Sequence, residues 1–210
     1  MEREVGRHRD ELLAGLSGRV VELGAGNGVN FAHYPGDVEE VVAIEPEPYL
    51  RAKAAAAAAA APVPVTVREG VAAALPLDGA AFDAAVASLV LCSVADEADA
   101  LAELRRVLRP RGELRFMEHI RAESRGKARV QRWLDRSGIW PTLGGGCHCA
   151  RDTLSAILAA GFELEQLDRF ALGPSWVITN PHVRGRARAP GGESWVGAHG
   201  GRALRSGGRG

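Results

Sequence analysis

A short apolar segment that runs directly into a glycine-rich loop constrains the fold of this chain more than any other feature. The segment spans residues 19–23 (RVVEL), and the loop that follows reads Gly24-Ala25-Gly26-Asn27-Gly28. An apolar run of this length, ended by glycine, is typical of a buried strand in a parallel sheet. Parallel strands need crossover connections, so helices should separate this strand from its neighbours.

Strand-like and helix-like patterns do alternate along the chain. Helices are predicted at residues 1–16, 97–108 and 151–160, and from Pro48 through the alanine run that ends before Pro62. Strands are predicted at residues 19–23, 41–45, 63–68, 82–88, 113–118, 162–170 and 175–179. This alternation predicts an α/β protein with a doubly wound, mostly parallel seven-stranded sheet that binds its ligands at the carboxyl ends of the strands.

Composition excludes several classes of protein. Hydrophobic residues make up 46% of the 210 positions, which is enough for a sizeable core. The sequence has neither an apolar run of about 20 residues nor a secretory signal, and its three cysteines are too few for a disulfide framework. We therefore expect a cytoplasmic protein without a membrane span. The 26 basic and 26 acidic residues cancel, which argues against a nucleic-acid-binding surface on the whole molecule.

The charge is unevenly distributed. From Arg184 onward the chain carries six arginines and a single glutamate, and residues 1–183 carry an equal negative surplus. The segment 184–210 is rich in glycine and arginine and lacks apolar periodicity. We expect one domain over residues 1–183 and a disordered tail over 184–210 that could contact RNA.

The glycine loop favours one kind of nucleotide over another. A dinucleotide fingerprint, G-x-G-x-x-G, would place its third glycine where Val29 stands. Glu22 precedes the loop, and a carboxylate there would repel a pyrophosphate but attract a cationic amino group. Glu45 ends the second predicted strand, where a carboxylate can accept hydrogen bonds from both hydroxyls of a ribose. The pattern indicates a phosphate-free nucleoside with an ammonium group.

Several motifs together resemble the class I S-adenosylmethionine-dependent methyltransferases. They are VELGAGNG, the acid in AIEP, LVLCSV and VLRPRGELRFMEH. The chain is similar to the ubiquinone and menaquinone methyltransferases, and more closely to the methyltransferase-like alkyl-thiol methyltransferases through GVNFAHYP, LVLCSV, FMEH, Gly146-Cys147, Ser175-Trp176 and Pro181-His182. Those thiol methyltransferases begin with a hydrophobic anchoring segment. This sequence begins with MEREVGRHRDEL, so we expect a soluble protein.

The resemblance implies a class I methyltransferase fold, S-adenosylmethionine as cofactor and a set of binding residues. Glu22 would hold the methionine amino group, partly through water, and Glu45 the ribose. The family's acid toward the adenine amine is missing from the stretch 70–76, which leaves the backbone of that stretch to bind the base. The cofactor-binding residues are thus expected to be Glu22, Gly24, Ala25, Gly26, Gly28, Glu45, Pro46, Val71, Ala72, Ser88 and Leu89.

The acceptor is expected to be a small molecule, with a thiol as the leading candidate, because a thiol needs little help from a base. His119, at the end of the fifth predicted strand, is the candidate catalytic base. Cys92 could line the acceptor pocket. Cys147-His148-Cys149 lacks the C-x2-C spacing of a zinc site, so no metal is expected there.

Two other functions stay open at this point. One is an NAD(P)-dependent oxidoreductase on the same fold, which the missing third glycine disfavours. The other is a non-catalytic cofactor-binding protein whose Gly/Arg tail holds RNA. We expect a monomer that contacts neither membrane nor, apart from the tail, nucleic acid.

Overall fold

Seven strands lie side by side in one sheet. The computed structural model describes residues 2–174 and 176–191. The strands are β1 Gly18–Leu23, β2 Val38–Ile44, β3 Val65–Arg68, β4 Phe82–Ser88, β5 Leu108–His119, β6 Glu163–Ala171 and β7 Pro181–Arg188. The α-helices are α1 Glu2–Leu13, α2 Pro48–Ala58, α3 Glu97–Val107, α4 Arg125–Arg136, α5 Ile139–Leu143 and α6 Thr153–Ala159, and a 3-10 turn lies at Phe31–His33.

The order of the strands creates a crevice at one edge of the sheet. The order is β3-β2-β1-β4-β5-β7-β6. β1 is parallel to both β2 and β4, β5 is parallel to β4, and β7 runs antiparallel between β5 and β6. The strand order reverses between β1 and β4, and ligands of doubly wound sheets bind at the carboxyl side of such a point. The predicted doubly wound, mostly parallel seven-stranded sheet is confirmed.

Hydrophobic layers cover both faces of this sheet. Alternate residues of β1 point to opposite faces, so that Val20 joins one layer and Val21 the other. On the first face, Val21 shares a core with Leu101 and Leu104 of α3. On the second face, Leu12 and Leu13 of α1 pack near Val20. Because both faces are buried, the central strands read as continuous apolar runs rather than as an alternating pattern.

The structure corrects the prediction for the last strand. The apolar run at 175–179 was expected to be a strand, yet residues 176–179 form turns and Trp176 is 82% exposed. The strand begins at Pro181, and its inward positions hold the small residues Val183 and Ala187. Small residues alternate with arginines in residues 181–188, and this alternation gives the segment the two-residue period of a strand.

The predicted start of a disordered tail at 184 is consequently wrong. β7 continues to Arg188, and Ala189 is still buried. Arg184 forms ion pairs with Glu11 and Asp168, and Arg186 pairs with Glu165. Acidic side chains of α1 and β6 thus neutralise part of the positive charge that the sequence placed in a tail. The rest of the predicted tail, residues 192–210, lies outside the described residues.

None of the helices in the described ranges is long and apolar enough to cross a membrane.

Candidate active site

The glycine loop and Glu45 meet where β1 and β2 end. Leu23 pairs with Ile44, and the next amide, of Gly24, donates to the Ile44 carbonyl at 2.8 Å. The Glu45 side chain turns under the loop, where its Oε2 accepts from the Gly26 amide at 2.7 Å and its Oε1 from the Glu47 amide at 3.0 Å. Each carboxylate oxygen can accept a second hydrogen bond. Glu45 therefore keeps acceptor capacity for a diol while fixing the loop.

Two loop glycines serve different purposes. Both Gly24 and Gly26 have a positive φ, of +65° and +58°, which favours glycine. A Cβ on Gly24 would lie 2.2 Å from Cγ2 of Val90, so this position is closed by packing against the segment after β4. A Cβ on Gly26 would meet no atom within 4 Å. The loop therefore presents a bare backbone beside open space at Gly26, which lies next to the Glu45 carboxylate.

Glu22 lies behind this loop. Its side chain is 1% exposed, and its two oxygens accept from Nδ2 of Asn30 at 2.7 Å and from the Tyr34 hydroxyl at 2.8 Å. Burial raises the pKa of Glu22 to about 7, although these hydrogen bonds and the nearby Arg9 charge act in the opposite direction. The structure thus places Glu22 beneath the loop with both oxygens engaged. Its contact with an amino group stays a prediction.

The end of β4 carries backbone strain. Leu89 has φ +56°, a conformation that costs a non-glycine residue roughly 1–3 kcal/mol, and its amide donates to the Met117 carbonyl at 2.8 Å. Strained backbone of this kind is concentrated at functional sites. Next to it, the Oγ of Ser88 is buried without a hydrogen-bond partner in the described part of the chain. Both residues lie beside the glycine loop, because Ala87 pairs with Leu23.

The remaining residues of the predicted cofactor set surround Glu45 and the loop. The Glu45 amide donates to the Arg68 carbonyl at 3.1 Å, which brings the turn that contains Val71 and Ala72 to the same edge of the sheet. Pro46 and Val71 are exposed and Ala72 is half-buried. The structure brings these three residues beside Glu45, and their contact with an adenine ring stays a prediction.

On the other side of the crevice, a sulfur atom receives several hydrogen bonds. Nε2 of His119, at the end of β5, lies 2.8 Å from Sγ of Cys147, and Nε1 of Trp140 donates to the same sulfur at 3.3 Å. Cys92, in the turn after β4, is also hydrogen-bonded to Cys147. We call Cys92, His119 and Cys147 the sulfur cluster. Their three ligand atoms all lie within 4.8 Å of one another.

The hydrogen bonds of the sulfur cluster favour a thiolate at Cys147. The bonds from Cys92 and His119 hold the pKa of the Cys147 thiol well below its ordinary value, against the effect of burial. The same bond to Cys147, together with burial, raises the pKa of Cys92. Burial has the largest single effect on His119 and disfavours its charge, but the bond to Cys147 and the acidic groups nearby together raise the pKa of the imidazole. The Cys147 sulfur and the His119 imidazole thus form a hydrogen-bonded pair.

Glu118 connects the two sides of the crevice. It is fully buried, and its Oε1 accepts from the amides of Val90 and Leu91 at 3.0 Å each. Burial raises the pKa of Glu118 to about 7. Val90 packs against Gly24. Through its bonds to this segment, Glu118 fixes the turn that lies between the glycine loop and Cys92.

Sequence reasoning found His119 but missed its partners. It treated Cys147, His148 and Cys149 as one local set, whereas the fold separates them. Cys149 is buried away from the sulfur cluster, where its Sγ bonds to Asp135. Cys92 and Cys147 stand 55 positions apart, so no local motif joins them. The sequence indicated only that Cys92 and His119 follow two neighbouring strands.

The residues at this edge suit a sulfonium nucleoside. Glu45 offers free acceptor sites beside an open backbone, Glu22 supplies negative charge behind the loop, and Ser88 offers a buried hydroxyl that no residue in the described ranges satisfies. A nucleoside with two ribose hydroxyls and an ammonium matches these groups in charge and in hydrogen-bonding capacity.

Comparisons with known proteins agree with this arrangement. Residues 21–116 match the family described as Methyltransferase domain. Thiol S-methyltransferase TMT1A of Homo sapiens is 35% identical over 182 residues, which cover 83% of this chain and 73% of that protein. Thiol S-methyltransferase TMT1B of Mus musculus is 34% identical over 180 residues, with the same two coverages.

A solved structure agrees at the level of the fold. A protein of Bacillus halodurans C-125 described as a methyltransferase is similar with a TM-score of 0.71, covering 88% of this chain and 98% of that one. At 16% identity this similarity concerns the fold alone.

Proposed function

Because this chain belongs to the class I S-adenosylmethionine-dependent methyltransferases and is related to the thiol S-methyltransferases, we propose that it methylates the sulfur of a small thiol. S-adenosylmethionine supplies a methyl group on a sulfonium, which is already a good leaving group. The protein must therefore align the acceptor with that methyl group, and alignment of two reactants can remove roughly 7–11 kcal/mol of a barrier.

The cofactor side of the proposal rests on the glycine loop. Glu45 binds the two ribose hydroxyls through the acceptor sites that the Gly26 and Glu47 amides leave free. The bare backbone at Gly26 allows the nucleoside to approach, and Glu22 provides negative charge for its ammonium. The Ser88 hydroxyl is available to the methionine portion. Pro46, Val71 and Ala72 flank the adenine.

The acceptor side rests on one observation, the convergence of hydrogen-bond donors on a sulfur atom at the end of β5. Trp140 donates to Cys147 Sγ, and Nε2 of His119 lies 2.8 Å from the same atom, so this part of the crevice stabilises a negatively charged sulfur. Oε1 of Glu118 is engaged by two backbone amides, and Nε2 of His119 lies 2.8 Å from the Cys147 sulfur. The other atoms of these groups, Oε2 of Glu118 and Nδ1 of His119, are buried, so neither group faces the acceptor as a strong base.

An alcohol or an ammonium acceptor would need such a base. A thiol has a reference pKa of about 8.5 and is partly ionised near neutral pH, so it needs only an environment that favours its anion. Such an acceptor does not require His119 to act as a general base.

A matched acceptor series tests this proposal. A short alkyl thiol, the corresponding alcohol and the corresponding amine would be incubated with methyl-labelled S-adenosylmethionine, and label in the product would be measured from pH 6 to 9. We expect transfer to the thiol alone, with a rate that rises with the thiolate fraction of the acceptor. Glu39→Ala removes an exposed carboxylate near the amino-terminal end of β2, the end opposite to the crevice, and serves as a control that keeps the rate. Transfer to the alcohol or the amine, or none to any thiol despite normal cofactor binding, would refute the proposal.

A further inference from the structure

The sulfur cluster contains the kind of ligands that soft metal ions prefer. It combines two cysteine sulfurs with one histidine nitrogen, and these atoms lie within 4.8 Å of one another. Cys92 and His119 are buried and Cys147 is half-buried. Thiolate and imidazole are the ligands of zinc in proteins, whereas magnesium and calcium select oxygen.

The fold holds these three residues in place without a metal. His119 ends β5, and Cys92 lies in the turn that Glu118 fixes through two backbone amides. The loop with Cys147 is tied to that turn, because the His148 amide donates to the Cys92 carbonyl at 2.8 Å. Arg151 adds a second tie, since its guanidinium donates to the Leu91 carbonyl and, at 2.7 Å, to the Val94 carbonyl. The ligand set is thus preorganised by backbone contacts.

The spacing of the ligand atoms suits a tetrahedral ion. Zn–S bonds of about 2.3 Å and Zn–N bonds of about 2.0–2.1 Å place tetrahedral ligand atoms roughly 3.5–3.8 Å apart. The His119–Cys147 separation of 2.8 Å lies below this range, and the 4.8 Å limit on all three pairs lies above it. Small side-chain rotations would bring the atoms to coordination distance.

The number of ligands points to a catalytic rather than a structural site. Structural zinc sites have four protein ligands, whereas catalytic sites have three and leave the fourth position to water or substrate. In the described ranges the cluster has three such residues, and the half-exposed Cys147 leaves one side accessible. Trp140 donates to the Cys147 sulfur at 3.3 Å, a contact of the kind that orients a metal ligand from outside its coordination shell.

We propose that Cys92, His119 and Cys147 bind one zinc ion, and that the acceptor thiol occupies its fourth position. The identity of the acceptor rests on the proposed function, whereas the metal site rests on the cluster itself. A zinc-bound thiol loses its proton, so the ion performs the activation for which no strong base is present at the end of β5. The site lies at the edge where β4 and β5 end, next to the glycine loop that Val90 contacts.

The proposed step balances without an added reagent. The acceptor thiol binds zinc and releases its proton to solvent. A lone pair of the acceptor sulfur then forms a bond to the methyl carbon, while the bond between this carbon and the sulfonium breaks and its electron pair stays on the sulfur of S-adenosylhomocysteine. The product is a neutral thioether. A thioether binds zinc more weakly than a thiolate, so the product leaves and a new thiol can enter.

Metal binding by the intact protein tests the site first. Zinc affinity would be measured by competition with a chromophoric chelator for the wild type and for Cys92→Ser, His119→Ala and Cys147→Ser. We expect one zinc per chain, and each variant should lose more than the roughly 10- to 100-fold that removal of an outer-shell contact costs. Trp140→Phe should show a loss within that smaller range. Cys149→Ser removes the third cysteine, which lies outside the cluster, and should leave zinc affinity unchanged.

Cobalt substitution tests the place of the acceptor. Cobalt(II) bound to thiolates shows a sulfur-to-metal charge-transfer band, and this band should strengthen when a short alkyl thiol is added but not when its alcohol or thioether is added. Binding of S-adenosylhomocysteine, measured by calorimetry, should be the same in Cys147→Ser as in the wild type, which shows that the fold and the cofactor side are intact.

The outcomes separate this inference from the proposed function. Absence of stoichiometric zinc binding, or equal zinc affinity in the cluster variants, would overturn the metal site. Thiol methylation at full rate in metal-free protein would overturn the role of the ion in activating the acceptor. Each of these results would leave thiol methylation standing. If zinc binds but the spectrum of the cobalt-substituted protein does not change when a thiol is added, the acceptor does not occupy the fourth position. A zinc-loaded protein that binds S-adenosylhomocysteine but methylates no thiol would instead refute the proposed function.

Discussion

The buried carboxyl of Glu22 leads to a quantitative prediction about stability and pH. Its pKa is about 7 in the folded protein, against an ordinary value of 4.5. Below pH 4.5 the carboxyl is protonated in both the folded and the unfolded state, so it does not affect the free energy of unfolding. Between pH 4.5 and 7 it ionises first in the unfolded chain, so the free energy of unfolding falls as the pH rises. Above pH 7 the ionised carboxyl lowers the free energy of unfolding by roughly 3.4 kcal/mol, since each unit of difference between the two pKa values contributes about 1.36 kcal/mol.

Substitution of Glu22 by glutamine removes this titration. Glutamine can still accept from Asn30 and donate to the Tyr34 hydroxyl, so the variant should fold. We expect the stability of Glu22→Gln relative to the wild type to improve by about 3 kcal/mol from pH 4.5 to pH 8, measured by urea unfolding at several pH values. Glu39→Gln removes an exposed carboxylate of β2 and is the matched control. A stability difference between Glu22→Gln and wild type that does not vary with pH would refute the reasoning.

Three further substitutions test other parts of the structure. Glu45→Ala should weaken S-adenosylhomocysteine binding by roughly 1.5–3 kcal/mol in calorimetry, because the ribose loses a charged acceptor, and unchanged affinity would remove Glu45 from the site. Gly185→Ala should lower the free energy of unfolding by about 1–3 kcal/mol, since its Cβ would lie 2.4 Å from Cζ of Phe116; a neutral effect in urea unfolding would contradict the packing of β7. Asp96→Ala should cost about 1 kcal/mol by removing the cap that accepts from the Ala98 amide at 2.7 Å, and the same assay would expose an error if stability were unchanged.

The grouping of the glycine loop with Glu22 and Glu45 at one edge of the sheet could be predicted because its signals are local. Glu22, the glycines and Glu45 lie within 24 positions, at the ends of two strands that form neighbours in any doubly wound sheet. The apolar runs that mark these strands are strong because both faces of the sheet are buried. Their order along the chain therefore fixed their arrangement in space.

The acceptor side could not be predicted in the same way. Cys92, His119 and Cys147 meet only after β4, β5 and the helices at 125–143 have packed, so their spacing in sequence shows no motif. The only metal site that the sequence suggested for consideration was the local triplet Cys147-His148-Cys149, whereas in the fold Cys149 bonds to Asp135.

The last strand was misplaced for a related reason. The apolar stretch at 175–179 resembles a strand in composition, whereas β7 is rich in arginine. Its arginines are neutralised by acids of α1 and β6 that only the folded chain brings near, such as Glu11 and Glu165. The alternation of small residues with arginine was the one local signal of this strand.

A crystal structure grown with S-adenosylhomocysteine and a short alkyl thiol would show both sides of the crevice at once. We predict that the ribose hydroxyls contact the Glu45 carboxylate, that the nucleoside lies along the Gly26 backbone, and that the thiol sulfur lies between the cofactor sulfur and the sulfur cluster. Ligand density elsewhere on the protein, with Glu45 and His119 both free of contacts to either molecule, would contradict the account.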